Sequence, residues 1–487
     1  MPDVIHKKYS VLLTDLYQLT MAYGYWKNGA HEKEAVFHLF FRKNPFQGGF
    51  SVACGLADAI DCIRNFRLDE EEVGYLASLN GNDGEPLFEM GFLDYLRTLR
   101  FTCDIDAIPE GTAVFPHEPL VRVRGPILQG QLLETVLLNI MNFQTLIATK
   151  AARVCRAAKG ADVLEFGLRR AQGIDGAMAA SRAAHIGGCT ATSNVLAGMR
   201  YGIPVRGTHA HSWVMSFDTE EEAFEAYAGA MPNNCVFLVD TYDTLEGVHT
   251  AVRVGLRLRE KGHEMLGIRL DSGDLAYLSI EARKILDAAG FPKAVIIASN
   301  DLDEQIIGSL IDQGAQINVW GVGTKLITAY DQPAMGGVYK LAAIREAGGE
   351  WRYSIKLSEQ AIKVSNPGIQ QVRRFKVGDA FAGDMIYNEA APMKSDRVIV
   401  DPVNMTRSKK MPLDASTEDL LVPIFRGGEL VYASPTLAEM RTRTRDQLNC
   451  LHPGTVRFLN PHEYPVGLEA GMHQLKSDLI LHARGIE

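Results

Sequence analysis

Cysteine is scarce and unpatterned in this sequence. The 487 residues hold seven, at 54, 62, 103, 155, 189, 235 and 450, and none forms a C-x-x-C pair. An odd count without such spacing excludes a disulfide framework and a cysteine zinc site, and a reducing cytoplasm fits best. Long apolar runs are also missing, so no stretch reads as a membrane span. No basic segment followed by an apolar core opens the chain, so no secretory signal is expected. Positive charge is in deficit, with 50 Lys and Arg against 59 Asp and Glu, a net charge of −9. That balance speaks against nucleic acid as a partner. Any anionic substrate must then meet a local cluster of Arg and Lys.

What remains is an ordinary globular composition, 46% hydrophobic and 22% charged, long enough for about three domains. Apolar spacing predicts a first helix over 12–29, started by Thr14 or Asp15 and stopped at Asn28-Gly29, with Tyr17 in its first turn. Residues 35–41 read as a strand, 55–66 and 69–79 as helices, and 102–124 as antiparallel strands broken by Pro and Gly turns. A long helical stretch over about 127–159 follows. Between 161 and 323 short apolar strands, at 162–166, 203–207, 235–240, 265–270, 294–299 and 317–320, alternate with helices. Two of these helices are placed at 218–230, with an Asp218-x-x-Glu221 start, and at 244–261. Such alternation means parallel strands with helical crossovers. From 338 onward strands and turns return, at 338–345, 351–357, 372–376 and 421–432, with helices near 435–448 and 467–483. Lys409, Lys410 and the arginines at 441, 443 and 445 read as a solvated face. The expected division is an N-terminal α/β domain over 1–130, an α/β barrel over 131–340, and a C-terminal segment over 341–487 packing partly on the first domain.

Each strand of the middle region ends in polar residues: Glu165 with Arg169 and Arg170, Thr208 with His209 and His211, Asp240 and Asp243, Arg269 and Asp271, Ser299 and Asn300, then Gly321-Val322-Gly323-Thr324-Lys325. A β/α barrel gathers such ends at its catalytic rim, placing 165–170, 207–211, 240–243, 269–274, 299–301 and 321–325 together. Glycines after the last strand let backbone N–H groups approach a phosphate, and Lys325 adds charge. With Arg169, Arg170, Arg206 and Arg269 it supplies the basic cluster that the acidic total calls for. Asp240, Asp243 and Asp271 can hold a magnesium ion or accept hydrogen bonds from ribose hydroxyls. The two histidines admit three readings. They can serve chemistry, they can merely hydrogen-bond nearby backbone in a strand-to-loop turn, or their H-x-H spacing can open a metal-dependent hydrolase barrel. The last lacks further ligands at fixed offsets.

The blocks LLTDLYQLTM, EFGLRRAQG, SNVLAG, GTHAHS, IRLDSGDL, ASNDLDE, GVGTKL and GGVYKL run in order from 12 to 341. In combination they resemble the nicotinate phosphoribosyltransferase family. That resemblance implies a type II phosphoribosyltransferase-like irregular α/β barrel with an N-terminal α/β domain and a C-terminal extension. It also implies ATP-coupled synthesis of nicotinate mononucleotide from nicotinate and phosphoribosyl pyrophosphate, with Mg2+ (or Mn2+), by a cytoplasmic homodimer with shared active sites. His211, the histidine of the G-T-x-A-H-S block, is then the residue phosphorylated by ATP. Phe166 and a partner subunit's copy of Tyr17 would sandwich the pyridine ring, near Arg169 and Arg269. Ser193, Thr208, Asp271, Ser299, Asn300, Gly321, Gly323 and Thr324 fall at substrate-binding positions, and Asp240 and Asp243 at the metal. Related nicotinamide enzymes carry an acidic residue where this chain has Thr190-Ala191-Thr192-Ser193-Asn194, so nicotinate is the expected substrate.

Overall fold

The structure is a computed structural model that describes residues 9–404 and 406–486. The reading of the first eight residues as free of a secretory signal lies outside them. The chain forms two compact units, residues 146–333 and the two flanking portions together.

The unit formed by 146–333 is built on a six-stranded, all-parallel sheet. Its order is Ala191–Thr192, Asp162–Glu165, Val319–Val322, Val295–Ala298, Gly267–Leu270, Val236–Leu238. The central strands are short because both faces are covered: Ile268, Leu270, Ile296, Ala298, Trp320 and Val322 are all fully buried. Helices Ile174–Gly187, Thr244–Glu260, Leu275–Ala288 and Glu304–Asp312 carry the chain between strands. Asp243, Asp274 and Asp303 cap three of them, each side chain accepting backbone N–H groups of the first turn.

Two local expectations are corrected. The helix placed at 218–230 runs Glu220–Ala230, and its capping box joins Thr219 to Glu222 rather than Asp218 to Glu221. Glu221 is instead drawn to Arg253 and Arg257 of the next helix. The strand expected at 203–207 shrinks to one parallel bridge, Thr192 to Val205. Pro204 explains this, since it has no N–H to extend a ladder. Among the described residues no strand joins Val205 at one edge of the sheet to Val236–Leu238 at the other, which leaves a seam.

In the other unit a seven-stranded sheet orders Arg352–Tyr353, Gly337–Arg345, Glu34–Phe41, Val121–Pro126, Asp104–Ala107, Val422–Arg426 and Glu429–Leu430. Strands from both ends of the sequence thus share one ladder. The first helix spans Leu16–Lys27 with Asp15 at its N-cap, and the long helical stretch divides into Ile127–Leu132 and Glu134–Ala157. A second, six-stranded sheet is made wholly of residues after 369. Its centre holds a buried ion pair, Arg374 Nε to Asp384 Oδ1 at 3.0 Å, completed by the Tyr464 hydroxyl at 2.9 Å. Hydrogen bonds to both charged partners make that burial tolerable. The helix expected at 467–483 begins three residues later, at Ala470, after the strand Val466–Glu469. Lys409, Lys410 and Arg445 are exposed as expected, but half-buried Arg443 reaches back to donate to the Glu110 carbonyl at 2.8 Å. Among the described residues no helix is long and apolar enough to cross a membrane.

Candidate active site

Because the six strands are parallel, their carboxyl ends share one rim, and the polar strand ends of the sequence meet there. The two histidines separate at once. His209 is buried at 8% exposure. Its ring packs edge-on against Tyr227, with centroids 4.8 Å apart, and its Nε2 accepts the Leu238 N–H at 3.3 Å. Burial pushes its pKa down to about 4, so it is neutral near pH 7. Both nitrogens are engaged, since Nδ1 lies 3.4 Å from the Ala210 carbonyl. A ring so committed has no lone pair for a metal, which removes the H-x-H hydrolase reading. His211, two residues on, opens the short helix His211–Val214. Its side chain is 39% exposed and its Nε2 lies 3.7 Å from Asp271 Oδ2, with Nδ1 held by the Thr241 hydroxyl at 3.1 Å.

Around His211 the strand ends are tied into one network. Asp271 accepts the Ser299 hydroxyl on Oδ1, and its backbone N–H donates to Asp240 Oδ2 at 2.8 Å. The same Asp240 oxygen accepts Ser272 Oγ at 2.7 Å. Asp240 Oδ1 is buried and finds no hydrogen-bond partner among the described residues. Arg269 Nη1 donates to Thr208 Oγ1 at 2.6 Å, while its Nε is also buried and unpartnered. Burial lowers the Arg269 pKa; Asp271 and Asp240 oppose that, and nearby Arg169 reinforces it. The rim thus presents an anionic oxygen and a guanidinium N–H that the described residues do not pair, two groups of opposite polarity able to bond a polar ligand or water.

A third group was not legible in the sequence. Glu220, in the first turn of its helix, has its pKa pushed up to about 7, first by burial and then by the charges of Asp240 and Asp243. It sits at a helix start rather than a strand end, so the strand-end rule does not find it. Thr241, the partner of His211, lies between two aspartates that the rule does find.

The glycines of the last strand shape the other wall. A Cβ on Gly321 would come within 2.7 Å of the Phe166 ring, and one on Gly323 within 3.3 Å of the Phe166 carbonyl. The absence of a side chain at Gly321 is what lets the Phe166 ring pack against the last strand, and the fit at Gly323 is tight as well. Glu165 fixes the same corner from beneath, accepting Ser181 Oγ at 2.8 Å and Thr192 Oγ1 at 2.6 Å. Its carbonyl accepts the half-buried Ser193 N–H at 2.9 Å. Arg169 and Arg170, in the 3-10 turn Leu168–Arg170, are exposed. After its strand Asn300 holds φ +90°, followed by Asp301 at φ +36°. Asn is the non-glycine residue best suited to such a turn. Thr324 opens the four-residue helix Thr324–Ile327.

Three predicted residues are placed differently from what their letters suggest. Lys325 is paired at 2.7 Å with Asp303; burial works against its charge, and Asp303 more than offsets this, raising its pKa. Asp243 spends Oδ1 on the Glu246 N–H at 3.0 Å as a helix cap. Among the described residues no three His, Cys, Asp or Glu side chains converge as a cation site. Tyr17 belongs to the other unit, on the outward face of its helix at 49% exposure.

Three family models match the chain in succession: the nicotinate phosphoribosyltransferase N-terminal domain over residues 12–142, the nicotinate phosphoribosyltransferase family over 161–352, and its C-terminal domain over 370–476. The chain is 47% identical over 462 residues to the nicotinate phosphoribosyltransferase of Bacillus subtilis, covering 94% of this chain and 92% of the relative. It is 39% identical over 529 residues to nicotinate phosphoribosyltransferase 2 of Arabidopsis thaliana, covering 95% and 92%. The crystal structure of human nicotinic acid phosphoribosyltransferase superposes with a TM-score of 0.83 at 34% identity, covering 96% of this chain and 99% of that one.

Proposed function

The chain belongs to the nicotinate phosphoribosyltransferase family and is an enzyme of that type, and on this premise we propose that it makes nicotinate mononucleotide from nicotinate and phosphoribosyl pyrophosphate, coupled to ATP through His211. The observation that carries the reading is the rim network of His211, Asp271, Asp240 and Arg269 at the carboxyl ends of the parallel strands, the same edge at which Phe166 follows its strand. Breaking the C1–O bond to pyrophosphate leaves an oxocarbenium-like ribose, and the nicotinate nitrogen must lie in line with it. Positioning and electrostatics do most of that work. Phe166, seated on Gly321, gives the pyridine a flat apolar surface. Arg269 and Arg169 offer charge to its carboxylate and to phosphate oxygens. Asp240 Oδ1, unpartnered among the described residues, suits a divalent cation or a ribose hydroxyl, with Asp243 as the second carboxylate. A bound Mg2+ or Mn2+ would neutralise the departing pyrophosphate.

For the coupling step, the tautomer of His211 in which Nδ1–H donates to Thr241 leaves the Nε2 lone pair as nucleophile. Nε2 attacks the γ-phosphorus of ATP, the bond to the β,γ-bridging oxygen breaks, and ADP leaves. Water later cleaves the N–P bond, releasing phosphate and the free imidazole. While present, the phosphoryl group adds negative charge next to Asp271 and biases the site's arrangement. An assay with nicotinate and phosphoribosyl pyrophosphate tests the reading. Nicotinate mononucleotide and pyrophosphate should form in equal amounts, faster with ATP than without. No product under either condition would refute it.

The assembly we propose is a homodimer with Tyr17 reaching the partner's pyridine ring. Its support is an exposed apolar face on the first helix, where Leu16, Tyr17 and Met21 are 54%, 49% and 43% exposed. Mixing Tyr17→Ala with Arg169→Ala subunits, each inactive alone, should restore one site per hybrid. Demonstrably exchanged hybrids without activity would show that each site is built within one chain. Seven cysteines without a C-x-x-C pair suit the reducing cytoplasm.

Selectivity for nicotinate over nicotinamide follows from residues 190–194, which offer no carboxylate to the amide N–H2. An unpaired donor costs about 1–3 kcal/mol, so discrimination of at least about tenfold in kcat/KM is expected. Ser193→Asp should weaken nicotinate use. Equal efficiency on both pyridines in the unmodified enzyme would contradict the proposal.

A further inference from the structure

The curled sheet does not close through its backbone. Among the described residues strand Val236–Leu238 pairs only with Gly267–Leu270, and at the far edge Thr192 makes a single bridge, to Val205. Val239 N–H bonds the Arg269 carbonyl, so by strand alternation the Leu238 N–H points the other way, into the seam. Leu238 is fully buried, where an unpaired amide is costly. Among the described residues the group that meets it is His209 Nε2. The His209 ring is itself wedged against Tyr227 and Phe224, at centroid distances of 4.8 and 6.0 Å. Its chain neighbours on either side carry the site: Thr208 holds Arg269, and His211 faces Asp271.

We infer that His209 is a positioning residue, a side-chain clasp that completes the barrel seam and thereby fixes the 206–211 segment, so that Thr208 and His211 meet Arg269 and Asp271. The inference rests on the proposed reaction at His211. Its physical content is that one imidazole supplies the acceptor that the carbonyl of a paired neighbouring strand would otherwise offer the Leu238 N–H. The ring must be neutral to accept, and both of its nitrogens must be used, which a merely space-filling residue does not require.

Three substitutions separate acceptor from volume. His209→Phe keeps the ring packing and removes the acceptor. His209→Gln places a carbonyl oxygen close to the Nε2 position, whereas His209→Asn places one nearer Nδ1, too short to reach Leu238. The expected result is a fall in kcat of about tenfold or more for His209→Phe and His209→Asn, with KM for nicotinate within about twofold, and recovery of most of kcat in His209→Gln. Hydrogen exchange at the Leu238 amide should accelerate in the first two and stay slow in the third. If His209→Phe does not fold, the Gln–Asn pair still decides. Equal kcat in those two variants, or unchanged protection of Leu238 in His209→Asn, would overturn the clasp. Failure of the phosphohistidine reading looks different: unmodified enzyme would then take no phosphate from ATP, while Leu238 exchange and ATP-independent transfer would still report on His209.

Discussion

His211→Ala should lose its ATP hydrolysis by at least ~10^3-fold and lose all stimulation of product formation by ATP. Transfer without ATP should survive at a reduced rate. The asymmetry follows from what the side chain touches. Its two polar neighbours are the Thr241 hydroxyl and Asp271, so its removal leaves the Arg269–Thr208 contact and the Phe166 seat standing. Only the nucleophile disappears. Parallel assays of hydrolysis and transfer check this. Equal loss of both would mean that the imidazole acts on the ribose or pyridine instead, and retained hydrolysis would mean that ATP is cleaved elsewhere.

Arg269→Ala should lower kcat/KM for nicotinate by about a hundredfold, because a charge-assisted hydrogen bond in a shielded site is worth about 1.5–3 kcal/mol. Arg269 also feels charges of both signs: against the effect of burial, Asp271 and Asp240 favour its charged form, while Arg169 disfavours it. Without it two carboxylates face an anionic substrate with less compensation. Arg269→Lys should restore only part of the loss, since a single ammonium cannot serve Thr208 and a ligand in the fork geometry of a guanidinium. Steady-state kinetics at matched thermal stability measure the effect. A change smaller than about threefold in the alanine variant would remove Arg269 from the substrate site.

Much of the middle unit was legible in the sequence for a physical reason. Short apolar runs flanked by helix-starting aspartates can pack only as buried parallel strands, and parallel strands align their carboxyl ends. His211, Asp240, Asp271 and Arg269 could therefore be assigned to one rim from their positions alone. What could not be read were choices among neighbours that depend on tertiary partners. Thr219 rather than Asp218 caps its helix, and Glu221 turns to arginines on another helix. Lys325 answers Asp303, 22 residues earlier, a pairing no local pattern announces. Glu220 joins the acidic corner from a helix start. The division of labour between His209 and His211 was equally hidden: both readings of such a histidine, backbone-bonded and chemically free, hold within one three-residue span. The seam was hidden too, because nothing local announces that an imidazole rather than a strand carbonyl meets the Leu238 N–H.

The account turns on which imidazole receives phosphate, so the most direct measurement is site-resolved phosphorylation of the unmodified enzyme. After brief incubation with ATP and rapid quenching at alkaline pH, peptide mass spectrometry should find a base-stable, acid-labile phosphoryl group on His211 alone. The same phosphate on His209, or none on either residue while ATP still accelerates product formation, would contradict it.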